Sequence, residues 1–265
     1  MSFIRVIVPD SHGSEIDPKA EAAFLGDLKQ LAPDEVVLLG DHVDTSGVFQ
    51  SHVNSYADDL IYTYEEDIAA CARFLDGIQK RAPKARIHML EGNHEQRVER
   101  HVSRAFLNAS DAKAARSLLA PDAKLKLKSR GIRYYRMADF HHGLSVRGTI
   151  KLGKCFFVHG ISAAKQAAST HLDRFGACVV FGHVHRAQSV IRRTVAAEEI
   201  GAWCPGTLAK LQPLYMHTSC TDWSHGYAIQ LVNDNGTFLH VQVPIVRGVS
   251  MLGPLVSRIG KKKAA

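Results

Sequence analysis

Cysteine is scarce in this sequence: five among 265 residues, an odd number with no CxxC pair. Cys71, Cys155, Cys178, Cys204 and Cys220 therefore read as small buried hydrophobes of a reducing compartment rather than a disulfide framework. No apolar stretch approaches the ~18 residues that a membrane span needs. The first residues run straight into a strand-like segment with no charged-then-apolar leader, so a cytoplasmic location is expected. There is no internal repeat, low-complexity segment or Pro/Ser-rich linker. With 46% hydrophobic residues, the chain can bury a sizeable core. The expected division is one domain over 1–250, carrying a helical insertion at about 96–130, and a basic tail over 251–265.

Charge discriminates little. Lys and Arg exceed Asp and Glu by 33 − 26 = +7, and part of that excess is Lys261-Lys262-Lys263 in the tail. The balance allows a polyanionic partner, nucleotide or nucleic acid, without requiring one.

The order of elements is more informative. Phe3 to Val8, Glu35 to Leu39 and Ala85 to Leu90 are buried-strand runs. Between them lie helical patterns, one opening at Asp17-Pro18, where Pro suits the first helical position, and one over Asp58 to Lys80. Strand, polar turn and helix in alternation predict a largely parallel sheet with helices on its faces. Residues 96–120 are helix-like and charged, and Lys124 to Lys128 alternates, as a solvated insertion or a cap over substrate would. Further strands are expected at Gly131 to Arg136, Gly143 to Val146, Lys154 to Val158 and Ala177 to Phe181, with Ser162 capping a helix that runs to Phe175. The remainder is β-rich, with Asn233 to Gly236 as a hairpin turn.

Five of these strands end alike, at Gly-bounded turns carrying Asp, Asn or His. The endings are Asp10-x-His12, Asp41-x-x-Asp44, Asn93-His94, His159 and His183-x-His185. In open α/β sheets, ligands bind at the carboxyl ends of strands. Carboxylates and imidazoles gathered there would repel or pay for desolvation without a cation. A mixture of imidazoles with Asp and Asn oxygens suits Mn, Fe, Zn, Ni or Co better than Mg or Ca.

The order DSHG, GDHVD, GNHE, HG, GHVH, spanning residues 10–185, resembles the calcineurin-like metallophosphoesterase superfamily. The resemblance implies a two-sheet α/β sandwich flanked by helices, with two divalent metal ions, Mn foremost, where the strands end. It makes Asp10, His12 and His185 ligands of one ion and Asn93, His159 and His183 ligands of the other, with Asp41 between them. His94 matches the histidine that contacts the phosphoryl group and protonates the leaving oxygen, with Asp44 holding its ring. Paired cations of this kind clamp attacking and leaving oxygens and acidify a water, and an imidazole oriented by a carboxylate is a suitable acid. His42 matches no ligand and reads as a support behind the ligands or as structural. Glu95 reads as the start of a helix, its charge suited to the dipole. Arg97 could grip a substrate phosphate by a bidentate contact or form a surface salt bridge.

Substrate is less constrained. The Ser/Thr protein phosphatase branch has Arg soon after the second Asp of its second motif, where this chain has Thr45, and lacks the double His of GHVH. The ending resembles the bacterial and phage phosphodiesterase branch, although Cys204-Pro205-Gly206-Thr207 departs from the Asn-Pro-Gly-Ser that often follows there. The loops Thr45 to Tyr56 (with Phe49, His52 and Asn54) and Gln212 to His225 (with Tyr215, His217 and Trp223) could line a pocket in which aromatics stack a base. The plainer expectation is that Trp223 and Tyr215 pack a sheet edge, as buried aromatics usually do. Nucleotide-type phosphodiesters are favoured over a nuclease or phosphomonoesterase activity, and a metal-bound scaffold without catalysis ranks last.

Overall fold

The apolar runs become strands buried on both faces, which is why they read as continuous rather than alternating. In the computed structural model, which describes residues 2–45, 63–105, 108–195, 199–216 and 219–253, β1 (Phe3–Val8), β2 (Glu35–Leu38), β3 (Arg86–Leu90) and β4 (Arg133–Tyr135) pair in parallel. Asp17 caps α1 (Pro18–Leu31) by accepting the Lys19 and Ala20 N–H groups. Thr63 and Glu66 form a capping box at the start of α2 (Tyr64–Arg81), two donors satisfied reciprocally.

The short helices α3 (Glu95–Ala105), α4 (Ala109–Leu119) and α5 (Pro121–Lys124) precede β4, and then β5 (Thr149–Leu152) and β6 (Cys155–Val158) follow. Next come α6 (Ala167–Phe175), β7 (Val179–Phe181), β8 (Ala187–Arg193), β9 (Glu199–Pro205), β10 (Gly226–Val232), β11 (Phe238–Val246) and β12 (Val249–Ser250). The strands make two sheets, ordered β12-β11-β10-β1-β2-β3-β4 and β5-β6-β7-β9-β8. Helices flank both.

Alternation along each central strand sets the layers. Val6, Val8, Val36 and Leu38 face α1 and α2 with Phe24, Leu28, Phe74 and Leu75. Ile7, Val37, Leu39 and Leu90 point the other way, into a core shared with Ile150, Phe157 and Val180 of the second sheet. A third cluster packs α6 on that sheet's outer face through Ala168, Leu172, Phe181 and Ala202. The order is thus helix, sheet, sheet, helix. Among the described residues no helix is long and apolar enough to cross a membrane.

Local expectations fail where pattern lacks a partner. Gly143 to Val146 is turn and bend, not strand, and Val146 is exposed. Ser162 does not cap α6. Its hydroxyl accepts the Ala164 N–H in a local turn, and the helix begins only at Ala167 behind Gln166, which makes no capping bond. Leu125 and Leu127, between the lysines of the alternating run, are buried with Val98 and Val102 in the α2-side core, whereas α4 buries no residue. Cys220 is exposed, unlike the buried Cys71, Cys155 and Cys204. Residues 46–62, 217 and 218, the tail from 254 and the Tyr215 side chain lie outside the described residues. The pocket roles of Phe49, His52, Asn54, Tyr56, Tyr215 and His217 fall there, as does the start of the helix expected from Asp58.

Candidate metal centre

Each chemistry-bearing turn follows the C-terminal end of a strand: β1 leads to Asp10 and His12, β2 to Asp41 and Asp44, β3 to Asn93 and His94, β6 to His159, and β7 to His183 and His185. Parallel pairing of β1, β2 and β3, and of β6 and β7, puts these ends on one edge of the sandwich. These nine residues meet there, and Arg97 joins them through His94 and Asp44. Among the described residues, three groups could hold a metal ion: Asp10, His12 and His185; Asp41, His159 and His183; and His12, Asp44 and His94.

Hydrogen bonds at the rear of the rings fix which nitrogen faces the centre. His12 Nδ1 lies 2.7 Å from Asp44 Oδ1 and donates to it. Its Nε2 then carries a lone pair, 3.0 Å from His185 Nε2, which is itself 3.1 Å from Asp10 Oδ2. His159 Nδ1 donates to the Leu39 carbonyl at 3.0 Å. Its Nε2 faces two oxygens, Asp41 Oδ2 at 3.1 Å and Asn93 Oδ1 at 2.9 Å. Lone pairs converging on lone pairs are repulsive unless a proton or a cation lies among them. Burial opposes a charge on His159, but the Asp41 carboxylate outweighs it and pushes the imidazole up to about 10. In each group the donors fit a divalent ion of borderline softness.

Charge makes the same point. Asp10, Asp41, Asp44, Asp67 and Glu95 are all at most 3% exposed. Arg97, 7% exposed, is the buried guanidinium beside them. Burial disfavours ionised Asp41 and Asp44, yet the surrounding histidines hold both well below the usual carboxylate range. Burial pushes Asp67 and Glu95 up to about 7, so the carboxylates held ionised are Asp10, Asp41 and Asp44, a buried negative cluster that protonated histidines or bound cations must balance.

His94 sits over the groups. Its Nδ1 is 2.9 Å from Asp44 Oδ1 and its Nε2 is 2.8 Å from Arg97 Nη2, while Arg97 Nη1 donates to the Asp44 carbonyl at 3.1 Å. Burial lowers the His94 pKa, but the carboxylates of Asp41 and Asp44 raise it further, for a net upward shift. Arg97 is thus buried against His94 and Asp44 and makes no surface ion pair among the described residues. His42 is fully buried, with Nδ1 on Ser11 Oγ at 2.8 Å and its ring stacked on Phe74, and burial pushes it down to about 3. It is a neutral core histidine. Cys204 is core as well, its thiol pushed up to about 12 by burial.

The backbone here is bent in an unusual way. His12, Asp41, Thr45, His183 and His185 all have positive φ, between 50° and 71°, a conformation costing non-glycine residues roughly 1–2 kcal/mol each. Carboxylates catch the N–H groups of three of them: Asp10 takes that of His183, Glu95 that of Asp41 and Asp67 that of Thr45. Glu95 does start α3, but its carboxylate serves more than the helix dipole. Oε1 accepts from His42 at 2.6 Å and Val43 at 2.9 Å, and Oε2 from Asp41 and Gly92, both at 2.9 Å. The Gly of the third motif has a steric reason, since a Cβ on Gly92 would stand 2.0 Å from Asp41 Oδ1.

Sequence reasoning missed Glu95 as a clamp, missed Asp67 altogether and favoured sheet-edge packing for Trp223. The Trp223 ring contacts His185 edge-on, with centroids 4.2 Å apart, so it belongs to the site's wall. The one signal for Glu95 was its place directly after His94, and for Trp223 its place two residues before His225 in a loop already suspected.

No known family profile matches the chain, and no curated protein matches it. Among solved structures, a single mutant of Vps29 from Entamoeba histolytica is similar over 93% of this chain and 95% of its own, at 14% identity and a TM-score of 0.44. Vacuolar Protein Sorting 29 from Cryptosporidium parvum is similar over 94% of each chain, at 10% identity and a TM-score of 0.44. YfcE, a phosphoesterase from E. coli, is similar over 92% of this chain and all of its own, at 16% identity and a TM-score of 0.36. At such scores and identities the likeness is one of outline and decides nothing about chemistry.

Proposed function

We propose that this chain is a metal-dependent phosphoester hydrolase with a dinuclear centre, acting on phosphodiesters of nucleotide type. The observation that carries the reading is the convergence of Asp10, His12 and His185 beside Asp41, His159, His183 and Asn93, with the Asp44-backed His94 over both. The motif order that resembles the calcineurin-like metallophosphoesterases supports it, as does the buried cluster of Asp10, Asp41 and Asp44, whose charge divalent cations would offset.

Asp10, His12 and His185 would hold one ion, and Asn93, His159 and His183 the other, with Asp41 shared. When bound, such ions polarise phosphoryl oxygens and acidify a water. The chain's own residues do the rest. Asp44 binds the inner nitrogens of both His12 and His94, keeping each ring's Nε2 directed outward. A proton on His94 Nε2 is delivered to the leaving alkoxide. Arg97 Nη2, which donates to that nitrogen while it is neutral, turns to a phosphate oxygen once His94 is charged. Trp223, against His185, supplies a face for a base or another ring on the ester.

The test is hydrolysis by chelator-stripped protein before and after Mn2+ is restored. Bis(p-nitrophenyl) phosphate, p-nitrophenyl phosphate and labelled DNA serve as substrates. Diester cleavage that returns with metal and falls at least 100-fold in His94→Asn is expected. Preference for the monoester or for DNA moves the assignment within the same chemistry. No turnover with any metal leaves a binding scaffold.

A further inference from the structure

Asp67 stands in the first turn of α2, directly after Glu65 and Glu66, whose charges suit the positive end of the helix dipole. Unlike them it is wholly buried and turned toward the strand-end loops. Oδ1 accepts the Ser14 N–H at 2.9 Å and Oδ2 the Thr45 N–H at 2.8 Å, and the Asp44 N–H also contributes. One oxygen is thus spent on the loop that carries His12, the other on the loop that carries Asp44. Those are the two residues joined by the 2.7 Å bond that aims His12 Nε2. Both loops pass through left-handed backbone, at His12 (φ 50°) and Thr45 (φ 53°), so neither conformation is kept without such bonds. Gly13 makes the approach possible, because a Cβ there would lie 1.9 Å from Asp67 Oδ1.

We infer that Asp67 is a positioning residue for the metal centre, bridging the His12 and Asp44 loops so that His12 is presented to one of the two ions. The inference rests on the proposed reading of the site. It assigns Asp67 to the Asp10, His12 and His185 group and not to the group around His159, whose loops Glu95 and Leu39 hold. Asn at position 67 keeps the shape but can satisfy one loop only. Its amide group sets a donor against the other loop's N–H, which releases the His12 and Asp44 loops from each other.

The experiment titrates Mn2+ into the chelator-stripped full chain by calorimetry for wild type, Asp67→Asn and Gly13→Ala, with circular dichroism as the check on folding. Wild type is expected to show two binding steps. Each variant keeps one of them and loses 10–100-fold in the other, the range typical of partners behind a ligand. With bis(p-nitrophenyl) phosphate at saturating metal, kcat falls more than KM rises. A second measurement needs no variant: the Ser14 and Thr45 amides of the metal-free chain exchange slowly with deuterium.

Folded variants with both affinities unchanged overturn the positioning role while leaving the site's reading intact. So does exchange at Ser14 and Thr45 as fast as in an open loop, even if the variants fail to fold. A wild-type chain that takes up no Mn2+ overturns the reading of the site and the positioning role together.

Discussion

Replacing Glu95 by Gln isolates the clamp that joins the second and third strand-end loops. The wild-type carboxylate accepts four backbone N–H groups, two on each oxygen, and is 1% exposed. A glutamine keeps one oxygen, so two of the four donors face an NH2 group. Each buried donor left without a partner costs about 1–3 kcal/mol, or about 2–6 kcal/mol for the pair. Part of that is recovered. Burial and the nearby Asp41 charge push Glu95 up to about 7, and a neutral amide relieves that repulsion. The expected loss is therefore about 2–4 kcal/mol, a large share of a typical domain stability of about 5–15 kcal/mol. Urea unfolding of both proteins at fixed pH with chelator present reads it directly, as a lower midpoint at unchanged slope. A loss below about 1 kcal/mol would refute the reasoning, because it would mean that water or a rearranged loop satisfies those amides at little cost.

Other outcomes follow from single contacts. Gly92→Ala pushes a methyl group against Asp41, so Mn2+ affinity measured by calorimetry should fall at least tenfold in a chain that keeps its circular dichroism spectrum. Arg97→Ala should raise KM and lower kcat for the diester, and Arg97→Lys should not restore them, since a point charge cannot replace a fork that spans Asp44 and a phosphate. Trp223→Ala should weaken a nucleotide diester by about 1–3 kcal/mol in KM while sparing an alkyl diester, and equal losses on both would remove Trp223 from specificity. Glu35 sits buried with Arg5 and His88. Burial opposes its charge, but those partners win and take its pKa down from 4.5 to about 2. A carboxylate so depressed stabilises fully above pH 4.5 and loses that contribution as pH falls toward 2. The stability gap between wild type and Glu35→Gln should therefore close over that window in acid unfolding.

The strands and the donor residues were legible because both signals are local. Val6 to Val8 or Val36 to Leu38 are continuous apolar runs since both faces are covered, and each donor follows within a few residues of a strand end. What escaped depends on partners distant in sequence. Asp67 looks like one more acid in the first turn of α2, and nothing nearby reveals that Ser14 and Thr45 lie opposite it. Glu95 could be placed at a helix start but not on the loop after β2. Gly143 to Val146 shows the converse failure, a strand-like pattern with no strand beside it. Trp223 reads from the sequence as sheet-edge packing first, and only its distance from His185 places it beside the site.

The central claim, paired cations held where separate strands end, is tested most directly by anomalous diffraction from crystals equilibrated with Mn2+. The account predicts two peaks, one bounded by Asp10, His12 and His185 and the other by Asn93, His159 and His183, with Asp41 touching both. A crystal with no peak among these residues, or with manganese bound only elsewhere on the chain, would contradict it.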